Sequence, residues 1–169
     1  MKEVIIRQAN VNDAKDILDI NISSWKDTYK NIFPDDFLDN LCNTEEEYNK
    51  SLNNIIEKIT DNNNYLVSLY KGRIVGFVNY GPSKKNKYIK YGEIYALYVD
   101  NNYIKKGIGG MLLKKATSLL KNNHNNIIVS CLKRNPANTF YEKMGCKKIG
   151  ETTFDLNNKK YKENVYLID

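Results

Sequence analysis

Histidine and cysteine are scarce in this chain, and their scarcity excludes several kinds of site. His124 is the one histidine among 169 residues, and the polar stretch around it, residues 121–126, favours an exposed loop over a catalytic position. The three cysteines, Cys42, Cys131 and Cys146, are odd in number, far apart and never spaced as C-x-x-C. We therefore expect buried, reduced thiols, with no disulfide framework and no bound metal.

Long apolar runs are also missing. No run approaches the ~20 residues that a helix needs to cross a bilayer, and the N-terminal residues 1–6 lack the apolar core of a signal peptide. We therefore expect a cytoplasmic protein without membrane contact. Hydrophobic residues make up 41% of the chain and charged residues 27%, which is typical of a globular protein. The expected single domain covers residues 1–169.

The formal net charge of the chain is +6. Such a charge favours an anionic ligand or a nucleic acid. Compositional bias is the alternative, because Lys, Asn, Ile and Tyr are all abundant. No recognised nucleic-acid-binding motif accompanies the charge, so a nucleic acid is the less favoured partner.

In the first third of the chain, one extended pattern is followed by helical patterns. Residues 2–8 predict an edge strand. Asn10 is a candidate N-cap, and apolar residues spaced by three and four from Val11 to Tyr29 predict one face of a helix. A short helix is expected after Pro34, and the capping box Thr44–Glu47 predicts the start of a third.

The rest of the chain predicts strands interleaved with helices. The two runs around Lys71–Gly72 predict a hairpin. The later strands are expected at residues 90–99, 126–132, 146–154 and 161–168, and the later helices at residues 108–120 and 135–145. We predict one α/β domain whose central mixed sheet has about seven strands flanked by helices, with the central β-α-β unit parallel.

A glycine-rich stretch joins the strand that ends at Val99 to the helix that follows. Residues 105–110, "KKGIGG", place bare backbone and positive charge where the first N–H groups of a helix lack internal partners. Glycine lets a diphosphate approach such groups closely, so this junction favours a pyrophosphate. An ordinary turn is the alternative, and the stretch is neither a Walker A loop nor a good dinucleotide fingerprint.

This stretch resembles motif A of the GNAT superfamily of N-acetyltransferases, in which a glycine-containing loop binds the pyrophosphate of acetyl-CoA. Residues 97–113, "LYVDNNYIKKGIGGMLL", keep the strand end, the glycine pair and the apolar helix. They depart at Ile104, where the family has Gln or Arg, and at Lys105, where Gly is common. Residues 135–146, "NPANTFYEKMGC", resemble the helix after the family's fifth strand. The resemblance covers nearly the whole chain and implies the GNAT fold.

The resemblance implies acetyl-CoA as the co-substrate. The residues expected to bind it come from the strand end, the glycine-rich loop and the second motif: Leu97, Tyr98, Val99, Ile104, Lys105, Lys106, Gly107, Ile108, Gly109, Gly110, Asn135, Asn138, Tyr141 and Lys143. Most phosphate contacts in the family use backbone N–H groups, so a working site is expected despite the departures.

A proton acceptor is needed because an amine attacks a thioester only as the neutral base, and a lysine-like amine has a pKa of about 10.4. Glu93 is the candidate, since it lies six residues before Val99, where histone-type members of the family have a catalytic Glu. An ordinary charged residue at a strand start is the alternative. The resemblance assigns the oxyanion contact to a main-chain N–H near Leu97, and it places Tyr141 near the leaving thiolate.

The resemblance places the acceptor between the first two helices and the later strands. Trp25, Tyr29, Phe33 and Tyr80 could line that entrance, and core packing is their alternative role. We expect direct attack by the primary amine of a small molecule or peptide in a ternary complex. A non-catalytic GNAT-fold module that binds acetyl-CoA or another anion is the alternative function. Because GNAT proteins often pair through C-terminal strands, a homodimer through residues 161–168 is also expected.

Overall fold

The computed structural model describes residues 3–169, so the start of the strand expected at residues 2–8 lies outside the described residues. The strands are β1 (Val4–Gln8), β2 (Tyr65–Tyr70), β3 (Arg73–Pro82), β4 (Gly92–Val99), β5 (Ile127–Leu132), β6 (Lys147–Leu156) and β7 (Lys159–Ile168). The α-helices are α1 (Ala14–Thr28), α2 (Asp35–Asp39), α3 (Glu45–Asp61), α4 (Ile108–Leu120) and α5 (Ala137–Lys143).

Within the described residues, seven strands form one mixed sheet in the order β1-β2-β3-β4-β5-β7-β6. This arrangement confirms the predicted α/β class, the seven strands and the edge position of β1. The chain divides into two compact units. The first holds the residues up to Asn79 together with Ala96–Lys115, and the second holds Tyr80–Tyr95 together with Ala116–Asp169.

Local capping explains where the helices of the first unit begin. The side chain of Asn10 accepts a hydrogen bond from the N–H of Asn12 at 3.0 Å, and Asp13 Oδ2 accepts one from the N–H of Asn10 at 2.8 Å. The predicted N-cap is confirmed, although a 3-10 turn (Val11–Asp13) precedes α1. Thr44 Oγ1 accepts from the N–H of Glu47 at 3.2 Å, which is the N-cap half of the predicted capping box.

Apolar faces of α1 and α3 pack on β2 and β3 to form the core of the first unit. Its buried residues include Ile17, Leu18, Ile55, Ile59, Val67 and Phe77. The helical spacing of the sequence predicted these faces. Val11 is the exception: it lies in the 3-10 turn and is 46% exposed.

The predicted hairpin joins β2 to β3. Lys71 and Gly72 have φ values of 51° and 78°, the left-handed backbone that a two-residue hairpin turn requires. The strand β3 continues to Pro82, so it includes residues that the sequence predicted as part of a polar loop.

The second unit contains the parallel pair of the fold. The strand β4 pairs with β5 in parallel from Gly92↔Ile127 to Ile94↔Val129, as predicted for the central β-α-β unit. The strand β7 is antiparallel to both β5 and β6. It therefore lies inside the sheet, and β6 forms the edge. Across residues 3–169, no helix is both long enough and apolar enough to span a membrane.

Candidate functional site

The first unit contains the glycine-rich loop. The loop is anchored where β4 ends, because the N–H of Asp100 donates to the carbonyl of Val75 at 2.8 Å. Asp100 Oδ1 then accepts a hydrogen bond from the N–H of Asn102 at 2.9 Å and caps a 3-10 turn (Asn101–Tyr103). These bonds fix the direction in which the chain leaves the sheet.

Two left-handed residues shape the loop before α4. Lys105 has a φ of 60° and Gly107 a φ of 80°. The N–H of Met111 donates to the carbonyl of Gly107 at 3.1 Å, so Gly107 stands at the N-cap position. In such a helix the N–H groups of the first turn, here Ile108 to Gly110, have no partner within the helix.

The loop combines these N–H groups with positive charge. Lys105 and Lys106 are exposed, whereas Ile108 is buried and fixes the first turn of α4 to the core. Ile104 is extended and 46% exposed. Because its side chain is apolar, it supplies no polar or charged group at the position where the family has Gln or Arg. A helix start with free N–H groups and nearby cations can bind an anion such as a phosphate.

The end of β4 also lies in the first unit. Leu97 and Val99 are half-buried. The Tyr98 hydroxyl is 3.1 Å from the hydroxyl of Tyr29. The centroid of the Tyr98 ring is 5.9 Å from that of the Phe77 ring. The side chain of Tyr98 therefore belongs to the aromatic packing, and only its main chain stays a candidate for binding the cofactor.

The structure brings together three of the residues predicted to line the acceptor entrance. The ring centroid of Trp25 is 4.8 Å from that of Tyr29 and 5.7 Å from that of Phe33. Phe37 joins them, with its ring 6.0 Å from that of Phe33. Tyr29 and Phe33 are buried and Trp25 is half-buried. Phe37 was missed, although its position four residues after Phe33 could have signalled it.

Tyr80, the fourth predicted acceptor residue, lies in the second unit. It is 7% exposed, and burial raises the pKa of its phenol. A neutral, buried phenol packs as an aromatic residue with one polar end.

The predicted cofactor residues Asn135 and Asn138 hold the start of α5 in the second unit. Asn135 Oδ1 accepts from the N–H of Ala137 at 2.8 Å. Asn138 Nδ2 donates to the carbonyls of Leu132 and Asn135, both at 2.8 Å, and its Oδ1 accepts from the Tyr166 hydroxyl at 2.7 Å. Both side chains therefore have a structural role that the motif alone does not reveal.

Tyr141 is 6% exposed and lies in α5 among other aromatic rings. Its ring centroid is 5.1 Å from that of Phe140 and 5.9 Å from that of Tyr166. Lys143 is exposed at the end of the same helix. Burial and ring contacts do not test whether Tyr141 assists the leaving thiolate, and exposure does not test whether Lys143 binds the cofactor. Both roles stay predictions.

Glu93 is buried at the start of β4, with 4% of its surface exposed. Its Oε1 lies 2.7 Å from Lys85 Nζ, and its Oε2 accepts a hydrogen bond from Ser83 Oγ at 2.9 Å. The sequence singled out Glu93 but missed both partners, because they follow β3 in a stretch that looked like an ordinary polar loop.

The three cysteines differ in how far they are buried. Cys131 and Cys146 are buried and Cys42 is half-buried, and all are free thiols, so burial is confirmed for two of them. Burial, together with the charge of Glu163, raises the pKa of the Cys131 thiol to about 12. Among residues 3–169, no group of three or more His, Cys, Asp or Glu side chains is placed to hold a metal ion.

Comparison with known proteins shows which family the chain is similar to. Residues 61–147, which include the glycine-rich loop and all of α5, match the family model described as "Acetyltransferase (GNAT) domain". The uncharacterized N-acetyltransferase YuaI of Bacillus subtilis (strain 168) is 29% identical over 161 residues, which cover 95% of this chain and 90% of that protein.

Solved structures have the same fold. A PaiA N-acetyltransferase from Thermoplasma acidophilum, in complex with coenzyme A, has a TM-score of 0.71 at 21% identity, covering 95% of this chain and 97% of that one. An N-acetyltransferase from Staphylococcus aureus Mu50 has a TM-score of 0.71 at 20% identity, covering 98% of each chain. Since the family model spans more than half of the chain, this protein belongs to the GNAT family of acetyltransferases.

Proposed function

We propose that this protein transfers the acetyl group of acetyl-CoA to the primary amine of a small molecule or peptide. The observation that carries the proposal is the start of α4, where a loop with left-handed residues and two exposed lysines leads into a helix whose first N–H groups lack partners within the helix. The coenzyme A in the structure of the Thermoplasma acidophilum relative supports it.

The pyrophosphate of acetyl-CoA is assigned to the N–H groups of residues 106–110. The positive end of the α4 dipole favours negative charge there. Lys105 and Lys106 add cations that can reach the phosphate oxygens, and they offset the missing side chain at Ile104. The main chain of Leu97, Tyr98 and Val99 is assigned to the rest of the cofactor.

The chemical step is a direct attack of the neutral amine on the thioester carbonyl. Glu93 accepts the amine proton, directly or through a water. A main-chain N–H near Leu97 stabilises the oxyanion, and Tyr141 donates a proton or hydrogen bond to the departing thiolate. The new C–N bond replaces the C–S bond, and no acyl-cysteine forms. The raised pKa of the Cys131 thiol supports that last point, because a thiol is a poor nucleophile when protonated.

The acceptor amine is assigned to the aromatic residues Trp25, Tyr29 and Phe33, with Tyr80 as a further candidate. The half-buried ring of Trp25 leaves part of its surface for a ligand. An aromatic face attracts both the apolar part of an amine and its ammonium form.

The first experiment is a thermal shift with acetyl-CoA, followed by a panel of amines assayed for coenzyme A release. We expect stabilisation by acetyl-CoA and turnover of at least one amine. Gly109→Asp places a negative charge and a Cβ at the start of α4 and should abolish acetyl-CoA binding in calorimetry. Ser118→Asp, on the exposed surface of α4, adds the same charge away from the loop and should bind normally.

Two outcomes would argue against the proposal. Unchanged acetyl-CoA affinity in Gly109→Asp would remove the assigned pyrophosphate site. Tight acetyl-CoA binding without turnover of any amine would favour the binding-module alternative instead of an enzyme.

We further propose that residues 1–169 act as one domain, in the cytoplasm, as a homodimer. Residues 163–167 of β7 are paired on both sides, so within one chain that part of β7 offers no open edge for a dimer contact. The edge strand β6 is the alternative. Light scattering that gives only a monomer mass at high concentration would remove the dimer.

A further inference from the structure

Glu93 is the centre of a buried charged cluster in the second unit. Only 5% of its side chain is exposed, compared with 28% for the side chain of Lys85. Lys85 Nζ lies 2.7 Å from one carboxylate oxygen, and Ser83 Oγ lies 2.9 Å from the other. A buried carboxylate is stable in the charged form only when it has such partners.

The segment after β3 is folded around this carboxylate. The N–H of Ser83 donates to the carbonyl of Tyr91 at 2.8 Å. The N–H of Lys85 donates to Ser83 Oγ at 3.2 Å, and the N–H of Lys84 lies 3.4 Å from Glu93 Oε2. Ser83 therefore links the loop backbone to the carboxylate, and Lys85 reaches the same group with its charge.

Other titratable groups also face the cluster. Glu163 of β7 interacts electrostatically with both members of the ion pair: burial raises the pKa of Glu163, Lys85 lowers it, and Glu93 raises it. The pKa of Tyr95 is raised by burial and by the charge of Glu93. The Lys84 ammonium lies 5.0 Å from the centre of the Tyr95 ring. On β5, the residue paired with Glu93 is the buried, apolar Ile128.

We propose that Lys85 and Ser83 are positioning residues that keep the Glu93 carboxylate ionised and oriented to accept the proton of the acceptor amine. The inference rests on the proposed function. A carboxylate buried without its cation binds a proton more readily, and a protonated carboxyl group cannot accept another. The Lys85 ammonium thus places a positive charge against one carboxylate oxygen of Glu93, while Ser83 holds the second oxygen in place.

The test is the pH dependence of kcat/KM for coenzyme A release with a competent amine. Lys85→Met should move the acid limb of the profile upward by on the order of one pH unit, so activity lost at low pH returns as the pH rises. Lys85→Arg keeps the charge, so the acid limb of its profile should lie closer to that of the wild type than the acid limb of Lys85→Met does. Ser83→Ala should shift it in the same direction as Lys85→Met, by less.

Glu163→Gln is the matched control, because it removes a negative charge that also faces the cluster. It should leave the acid limb in place or move it to lower pH, opposite to Lys85→Met. A Lys85→Met profile that superimposes on that of the wild type would overturn the proposal. An acid limb that disappears in Glu163→Gln would also overturn it, since Glu163 would then be the titrating base.

Thermal unfolding separates this inference from the proposed function. At pH 8, Lys85→Met should lower the Tm because it leaves a buried charge unpaired, and the double variant Lys85→Met/Glu93→Gln should regain most of the loss. If the wild type turns over no amine, the proposed function fails and these Tm values still test the ion pair. Equal Tm values for Lys85→Met and the wild type would show that Lys85 does not hold Glu93 in the charged form.

Discussion

Lys105 keeps a left-handed backbone although it has a Cβ, with a φ of 60°. Such a conformation costs about 1–2 kcal/mol for a non-glycine residue. At this position the family commonly has Gly, so the lysine replaces a residue that would adopt the same backbone without strain. The Lys105 side chain brings a positive charge to the glycine-rich loop beside the uncharged Ile104.

The first prediction compares Lys105→Gly with Lys105→Ala. Both variants lose the charge, so both should bind acetyl-CoA several-fold more weakly in calorimetry. Glycine also relieves the strain, and Lys105→Gly should be more stable to urea than Lys105→Ala by about 0.5–1 kcal/mol after the flexibility of its unfolded chain is included. Wild-type affinity in both variants would show that the Lys105 ammonium does not contact the cofactor.

The second prediction concerns Tyr141. If its hydroxyl assists the leaving thiolate, Tyr141→Phe should lower kcat by roughly 10²–10⁴-fold, the usual contribution of a general acid, and leave acetyl-CoA affinity nearly unchanged. Tyr65→Phe is the control, since Tyr65 is a buried tyrosine in the core of the first unit and should keep its activity. A fully active Tyr141→Phe enzyme would reduce Tyr141 to a packing residue.

The third prediction concerns the thiols. Because burial and the charge of Glu163 raise the pKa of Cys131 to about 12, only about one thiol in 10⁴ is ionised at pH 8. Iodoacetamide should therefore modify the half-buried Cys42 first and leave Cys131 untouched in the folded protein, as peptide mass spectrometry can show. Cys42→Ser should remove the fast modification. Rapid labelling of Cys131 in the native state would contradict its burial.

At the scale of elements, Asp13 connects β1 to the start of α1. Its carboxylate accepts hydrogen bonds from Arg7 at 2.7 and 3.0 Å and from the N–H of Asn10 at 2.8 Å. Burial works to raise the pKa of Asp13, but the hydrogen bonds and the charge of Arg7 outweigh burial and lower it. The ionised carboxylate therefore stabilises the folded state.

The fourth prediction is that Asp13→Asn lowers the free energy of unfolding by about 2 kcal/mol at pH 7, as expected for lost hydrogen bonds to a charged group. A lowered pKa means that the contribution is complete above the unfolded value of about 3.9 and is lost as the pH falls through the lower folded value. Urea unfolding between pH 7 and pH 2 should show the difference shrinking in acid.

Asp16→Asn is the control for that series, because Asp16 is exposed in the first turn of α1. It should change stability by less than about 1 kcal/mol, through the helix dipole alone. A difference between Asp13→Asn and the wild type that stays constant down to pH 2 would contradict a role for the ionised carboxylate.

The elements that the sequence predicts well are those specified by neighbouring residues. The start of α1 follows from Asn10 and Asp13, and the hairpin follows from Lys71–Gly72, because caps and turns act over a few residues. The partners of Glu93 and Asn138 could not be predicted in the same way. The Glu93 partners depend on how the segment after β3 folds back on β4, and the Tyr166 partner of Asn138 depends on where β7 lies.

At the scale of the whole molecule, the position of β7 between β5 and β6 could not be predicted from the sequence either. A period-2 pattern shows which residues share a face of a strand, but it does not choose the neighbours of that strand. The parallel pairing of β4 and β5 was predictable, because a strand–helix–strand unit with a buried second strand favours it. The residues of the glycine-rich loop alone left open a turn or a phosphate site, and the family resemblance favours the phosphate site, which stays a prediction.

The fifth prediction follows from the net charge of +6 and the exposure of Lys105 and Lys106. Salt screens exposed charges, with a Debye length of about 10 Å at 0.1 M and 3 Å at 1 M. The affinity for acetyl-CoA should therefore fall several-fold between 0.05 and 0.5 M NaCl in calorimetry. The double variant Lys105→Ala/Lys106→Ala should show a weaker dependence. Salt-independent binding would indicate that the cationic loop does not meet the phosphates.

The strand order β5-β7-β6 has a consequence for the order in which this part of the sheet folds. The strands β6 and β7 are joined by the two-residue turn Asn157–Asn158, whereas α5 and β6 separate β5 from β7 in the chain. Closing a short loop costs less chain entropy than closing a long one. We therefore expect the β6–β7 hairpin to form before β7 pairs with β5.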